Sequence, residues 1–187
     1  DLSMLLLTSL LCNDAILQKE AGEWAILGDP TEGALVVMAA KGELDRHQMT
    51  HQLQRVGEIP FSSERKRMSV VIDTAVDGDF GLRLPEEVEN TQFLMLSKGS
   101  PEMLLERCHS YLTGDAPTPL TDQVRSRILD DNADMASQGL RVLGFAYRHL
   151  STLPDETRLE AAEDQLVWLG LVGLIDALRP EVKQAVN

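Results

Sequence analysis

The sequence predicts an α+β fold, a largely antiparallel sheet flanked by helices. Three observations carry this. Short β-rich runs follow one another in hairpin-like pairs, as Arg55 to Phe61 and Met68 to Thr74 do around a charged corner. Helix starts with their own punctuation stand between some of these runs, at Asp29-Pro30-Thr31-Glu32 and at Ser100-Pro101-Glu102. Leu166 to Ile175 is apolar on both faces, as in a strand buried on both sides. The pattern lacks the strict βαβ repeat of a doubly wound sheet.

Residues 2–12 read as a mostly apolar helix. Trp24 to Leu27 reads as a short strand that Gly28 ends. Asp29 then caps a helix, Pro30 suits its first position, and Glu32 sits where a capping box places an acid. His47 and His51 are four apart on a solvated helix; with no third ligand nearby they make a poor metal site. Asp77-Gly78-Asp79 marks a turn, and residues 83–90 an acidic surface loop. Phe93 to Ser97 is a strand, and Ser100 to Glu102 starts the second punctuated helix. Thr113 to Pro119 reads as a loop. Residues 122–138 form a polar helix that Gly139 terminates. Arg141 to Tyr147 is a strand, and the acidic residues 154–164 are helix or loop.

Composition narrows the function classes. The chain has 187 residues and a net charge of -13, which argues against a general nucleic-acid binder. A single anionic ligand needs only a local cation cluster, and Arg65-Lys66-Arg67 supplies one. Cys12 and Cys108 are too few for a disulfide scaffold and lack metal-ligand spacing, so buried reduced thiols are expected. The start, Asp1-Leu2-Ser3-Met4-Leu5-Leu6-Leu7, has no basic region or cleavage motif of a signal peptide. No run approaches the ~18 apolar residues of a membrane span. Both ends read as cut from a longer chain.

The usual phosphate motifs are missing: no G-x-x-x-x-G-K-[ST] loop, no G-x-G-x-x-G, no kinase signature. A nucleotide bound here would draw much of its affinity from base and sugar. Five stretches qualify together: Cys12-Asn13-Asp14; Gly28-Asp29-Pro30-Thr31-Glu32-Gly33-Ala34-Leu35; Pro60-Phe61-Ser62-Ser63-Glu64-Arg65-Lys66-Arg67-Met68-Ser69-Val70; Lys98-Gly99-Ser100-Pro101-Glu102; and Gly139-Leu140-Arg141-Val142-Leu143. In this order they resemble the nucleotide-binding domain of P-type cation-transporting ATPases, closest to the calcium-pump-like branch. The resemblance covers nearly the whole chain.

The resemblance implies an ATP or ADP site formed by Glu32, Phe61, Ser63, Lys66, Met68, Lys98, Gly99, Arg141 and Leu143, with no catalytic residue and no metal ligand. By residue type alone Phe61 fits a core aromatic at a strand end better than a ring that stacks on adenine; the family's adenine-stacking Phe falls on Phe61. Glu32 is either a capping-box acid or an acceptor for the adenine amino group, and the resemblance favours adenine. Lys98 reads as a strand-end lysine with its stem along the pocket, and by resemblance as the deep lysine near adenine. Gly99 would let a ligand approach the backbone. Lys66 and Arg141 are the family's phosphate-side cations. Ser63 departs from the pattern, because many relatives carry Arg there, and Arg67 is the nearby cation that could compensate.

The resemblance further implies a nucleotide-binding domain over 1–175, with 176–187 starting a return toward a phosphorylation domain. The parent would be an integral membrane pump with this domain in the cytoplasm, away from the membrane itself. Actuator and phosphorylation domains are its partners, and magnesium enters only through the latter. The Lys98-Gly99-Ser100-Pro101-Glu102 form leans toward calcium as the ion. Two readings from other classes stand beside this one: an acidic, non-enzymatic interaction module, and a free-standing phosphotransferase built around Asp130-Asp131.

Overall fold

Alternation along the strands builds the centre of the molecule. In the computed structural model, which describes residues 2–20, 22–74, 84, 85, 88 and 91–175, Val70 and Ile72 face one core while Val71 faces another. Leu94 and Leu96 likewise oppose Met95. Successive side chains of a strand point to opposite faces, so a sheet apolar at both parities must be covered twice.

Seven strands form that sheet: β3 (Gln54–Ile59), β4 (Arg67–Asp73), β5 (Phe93–Gly99), β6 (Cys108–Thr113), β7 (Ala116–Pro119), β8 (Arg141–Leu150) and β9 (Leu166–Leu174). Their order is β3-β4-β5-β8-β9-β6-β7, and every pair is antiparallel except β6 with β9. A separate hairpin, β1 (Ile16–Glu20) and β2 (Glu23–Leu27), leads into α2 (Pro30–Lys41). One face of the large sheet is covered by α1 (Leu2–Leu11), α2 and α3 (Arg46–Gln52), through residues such as Met4, Leu7, Leu35 and Met49. The other is covered by α4 (Pro101–Leu105), α5 (Asp122–Ser137) and two 3-10 turns at 156–158 and 160–162. The expected α+β architecture is therefore present.

Helix α1 is mostly apolar because it is buried over most of its length, at Met4 and from Leu6 to Leu11. Its hydroxyls are satisfied internally: Thr8 Oγ1 donates to the Met4 carbonyl at 2.7 Å and Ser9 Oγ to Leu5 at 2.8 Å. Its last carbonyls need cations. The Arg55 guanidinium donates to the Leu11 and Asn13 carbonyls, both at 2.9 Å, and pairs with Asp14 at 2.8 Å. Gly139, at φ +78°, ends α5 with Leu140 N donating to the Met135 carbonyl at 3.3 Å, which turns the chain into β8.

Several expectations need correction. The loop expected from Thr113 to Pro119 is mostly strand, because β7 lies at the sheet's edge, where Pro117 and Pro119 cost no central ladder bond. Strands β1 and β6 fall where the sequence pattern predicts no strand. Strand β3 stops at Ile59, so Phe61 lies beyond it, in the corner. Strands β5 and β8 run on to Gly99 and Leu150. The second punctuated helix is only five residues long. Leu84 and Val88, assigned to an acidic surface loop, are buried in the first core. The Asp77-Gly78-Asp79 turn and the return segment 176–187 lie outside the described residues.

Candidate functional site

The N-terminus of α2, the corner between β3 and β4, the end of β5 and the start of β8 converge on one cleft of about 660 Å³. Eight of the nine residues expected from the sequence line it: Glu32, Phe61, Ser63, Lys66, Lys98, Gly99, Arg141 and Leu143. Met68 does not. It is 3% exposed in the first core, beside Lys98 in the β4–β5 register. Asp29, Thr31, Leu35, Ser100 and Val142 also line the cleft. All five belong to the stretches that carry the family resemblance, where Asp29 and Thr31 are part of the helix start.

The core reading of Phe61 does not hold, because the ring is 62% exposed. It stands at the cleft wall, an apolar surface of the kind that elsewhere would be buried. Lys98 is the reverse case, 7% exposed at the end of β5. A buried ammonium needs a partner, and Lys98 Nζ donates to Glu32 Oε1 at 2.6 Å.

Glu32 closes no capping box. Asp29 caps α2 alone, its Oδ1 accepting from Thr31 N at 2.8 Å and Glu32 N at 3.1 Å. This frees the Glu32 carboxylate to bridge elements: Oε1 takes Lys98 and Oε2 accepts from Asp14 N at 3.2 Å. The Cys12-Asn13-Asp14 stretch serves the same junction. Asn13 Nδ2 donates to the Ser9 carbonyl at 3.0 Å and to the Glu32 carbonyl at 2.9 Å, which locks the end of α1 to the first turn of α2. Burial pushes the Cys12 thiol up to about 12, with Lys98 pulling the other way, so the group stays a neutral packing element. Cys108 is also buried, also free, and also raised by burial.

The three-cation corner is divided. Arg65 and Arg67 turn inward onto Glu163, at 2.7 Å and 2.8 Å, and only Lys66 lines the cleft. Arg67 is 3% exposed and bound, so it does not stand in for an arginine at Ser63. Gly99 carries a further constraint beside its place in the cleft lining. A Cβ there would lie 2.5 Å from the Lys66 carbonyl oxygen and 2.6 Å from Arg67 Cβ. Its bareness is used by the corner backbone, which Ser100 N holds through a 2.9 Å bond to the Lys66 carbonyl. Ser100 Oγ donates to Glu102 at 2.6 Å and with the Glu102 backbone hydrogen bond holds that carboxyl below its usual range. Arg141 is exposed at the rim, with no carboxylate partner among the described residues.

The sequence model of the family described as P-type ATPase, cytoplasmic domain N, matches residues 1–181. The chain belongs to the P-type ATPases, as their cytoplasmic N domain. It is 39% identical, over 97% of its length, to the cation-transporting ATPase pma1 of Synechocystis. It is 31% identical over its whole length to a calcium-transporting ATPase of Bacillus subtilis, and 36% identical over 95% to the human calcium-transporting ATPase type 2C member 2. The calcium-pump-like resemblance read from the sequence agrees with these relatives. The N domain spans 18%, 19% and 16% of their respective lengths. Among its described residues no helix is long and apolar enough to cross a membrane, and no group of three or more His, Cys, Asp or Glu side chains could hold a metal ion.

Proposed function

We propose that this N domain binds ATP in the cleft, with adenine stacked on Phe61 and the phosphates directed toward Lys66 and Arg141. The observation that supports it is the meeting, in one cleft, of an exposed aromatic ring with a buried Lys98 paired to the partly buried Glu32. A ring left in water is a ready stacking surface, and stacking tolerates any base, so discrimination must come from polar groups beside it. Each Glu32 oxygen uses one lone pair on the protein, so the carboxylate can still accept from an exocyclic amino group. Leu35, Val142 and Leu143 supply an apolar wall.

In the complete pump the domain would hold the γ-phosphate for transfer to an aspartate on a neighbouring phosphorylation domain, with an actuator domain as the further partner. Its contribution is position rather than a nucleophile. Magnesium would act through the phosphorylation domain, neutralising phosphate charge there. The cytoplasmic domain would then serve an integral membrane pump, and calcium is the proposed ion, following the names of two of the relatives.

Calorimetric titration tests the reading. ATP and ADP are expected to bind within about tenfold of one another, because the groups facing the cleft address the base more than the terminal phosphate. Chelating all divalent metal is expected to leave binding intact, and no phosphate release is expected from the isolated domain. A preference for ATP of about a hundredfold, or loss of binding with chelator, would overturn it.

Two lysine variants sort the two ends of the cleft. Lys98→Ala is expected to weaken ATP about as much as loss of the Phe61 ring, roughly five- to 150-fold. Lys66→Ala is expected to cost less, and its cost to fade with salt, because ~0.15 M salt screens exposed charges over about 8 Å. Titrations at two ionic strengths read both. A salt-independent Lys66→Ala as the most damaging variant would make phosphate, rather than adenine, the anchor.

A further inference from the structure

The Glu163 carboxylate is 1% exposed and lies in the segment just after the second 3-10 turn, almost a hundred residues along the chain from the corner it holds. It accepts from Arg65 Nη1 at 2.9 and 2.7 Å, from Arg67 Nε at 2.8 Å and from Ser69 Oγ at 2.7 Å. Ser69 Oγ lies 2.7 Å from Ser97 Oγ, which ties the carboxylate to β4 and β5 together. Arg65 reaches in two directions, because its other terminal nitrogen donates to the Pro60 carbonyl, one residue before Phe61. The planar guanidinium thus joins the peptide that precedes Phe61 to a buried anion.

Arg65 and Arg67 are drawn to one carboxylate on one side of the chain. The residue between them must leave on the other side, and Lys66 does so with φ +51°, a left-handed backbone that non-glycine residues rarely adopt. Such a conformation persists only where its surroundings hold it. Here the Ser62 carbonyl accepts from Lys66 N at 2.7 Å, and Ser100 N binds the Lys66 carbonyl.

We infer that Glu163 is the positioning residue of the nucleotide cleft: by clamping Arg65 and Arg67 it fixes the Phe61 ring and turns Lys66 toward the ligand. The inference rests on the ATP reading above. It also divides the charge of the corner, with two of three cations drawn inside the fold onto one carboxylate and one presented to the nucleotide. A carboxylate that merely stabilised the domain would affect ligand binding only through the folded fraction. A clamp changes affinity in a fully folded protein, and only while the groups it positions are present.

The test is a double-mutant cycle on the 187-residue chain, with ATP affinity measured by calorimetry and folding checked by circular dichroism. Glu163→Gln is made in the native chain and in the Phe61→Ala/Lys66→Ala background. The expected result is about tenfold weaker ATP binding in the native chain and a change below about twofold in the background. If Glu163→Gln fails to fold, Arg65→Lys takes its place in the same cycle: lysine keeps the charge for Glu163 but cannot also hold the Pro60 carbonyl. Equal losses in both backgrounds, or native affinity in a folded single variant, overturn the clamp. If Phe61→Ala/Lys66→Ala itself binds ATP as the native chain does, the cleft reading fails and takes the clamp with it. If that double variant is weak while Glu163→Gln is not, the clamp alone fails.

Discussion

Phe61→Ala is expected to weaken ATP binding roughly five- to 150-fold, the equivalent of about 1–3 kcal/mol of lost stacking. The thermal midpoint should hardly move. A buried phenylalanine cut to alanine costs about 3–5 kcal/mol of folding stability, but this ring is 62% exposed and has little packing to lose. Two measurements on one variant therefore decide between roles: calorimetric affinity and thermal melting. A folded variant with unchanged affinity would remove Phe61 from the site. A large fall in melting temperature would mean that the ring supports the corner rather than a base.

Glu163→Ala should give the largest loss of stability of any single change around the cleft. Its removal leaves Arg67, 4% exposed in its side chain, without its anion, and leaves Arg65, at 14%, with only the exposed Glu160 at 3.6 Å. Breaking a buried ion pair from one side costs about 3–5 kcal/mol, because the remaining charge stays desolvated. At roughly 2–4 °C per kcal/mol for a domain this size, the melting temperature should fall by about 6–20 °C. Urea unfolding with an unchanged slope would assign the loss to the native state. Asp14→Ala is the internal comparison. Its partner Arg55 is 28% exposed and Asp14 itself 58%, so losing that pair should cost less than about 1 kcal/mol. A Glu163→Ala variant as stable as Asp14→Ala would mean that the corner arginines find other partners.

The parts legible in the sequence were those written in local chemistry. Asp29-Pro30 marks the start of α2 by its side-chain oxygen and its fixed φ, whatever surrounds it. The doubly apolar run of β9 declares a sheet covered on both faces. The cleft was legible as a set of short stretches, and the fold brings eight of the nine named residues to it. What stayed hidden depended on partners far along the chain. Arg65-Lys66-Arg67 reads as three equal cations until Glu163, which looks like one acid among many in the sequence, claims two of them. Gly99 reads as a place for a ligand, and the sequence does not say that the corner backbone also needs it bare. The stretch expected as a loop holds Pro117 and Pro119, whose tolerance in a strand depends on its lying at the margin of the sheet, a fact of topology alone.

Those same prolines bear on how the domain behaves in a crowd. The open margin of a sheet offers unpaired N–H and C=O groups to any other extended chain, and is a common route to aggregation. At one margin of this sheet, β7 carries two residues with no N–H to offer. At the other, β3 carries the Arg55–Glu58 ion pair and an irregular register between Arg55 and Gly57. Within the described residues, the seven-stranded sheet is thus blunted at both margins against the addition of another strand.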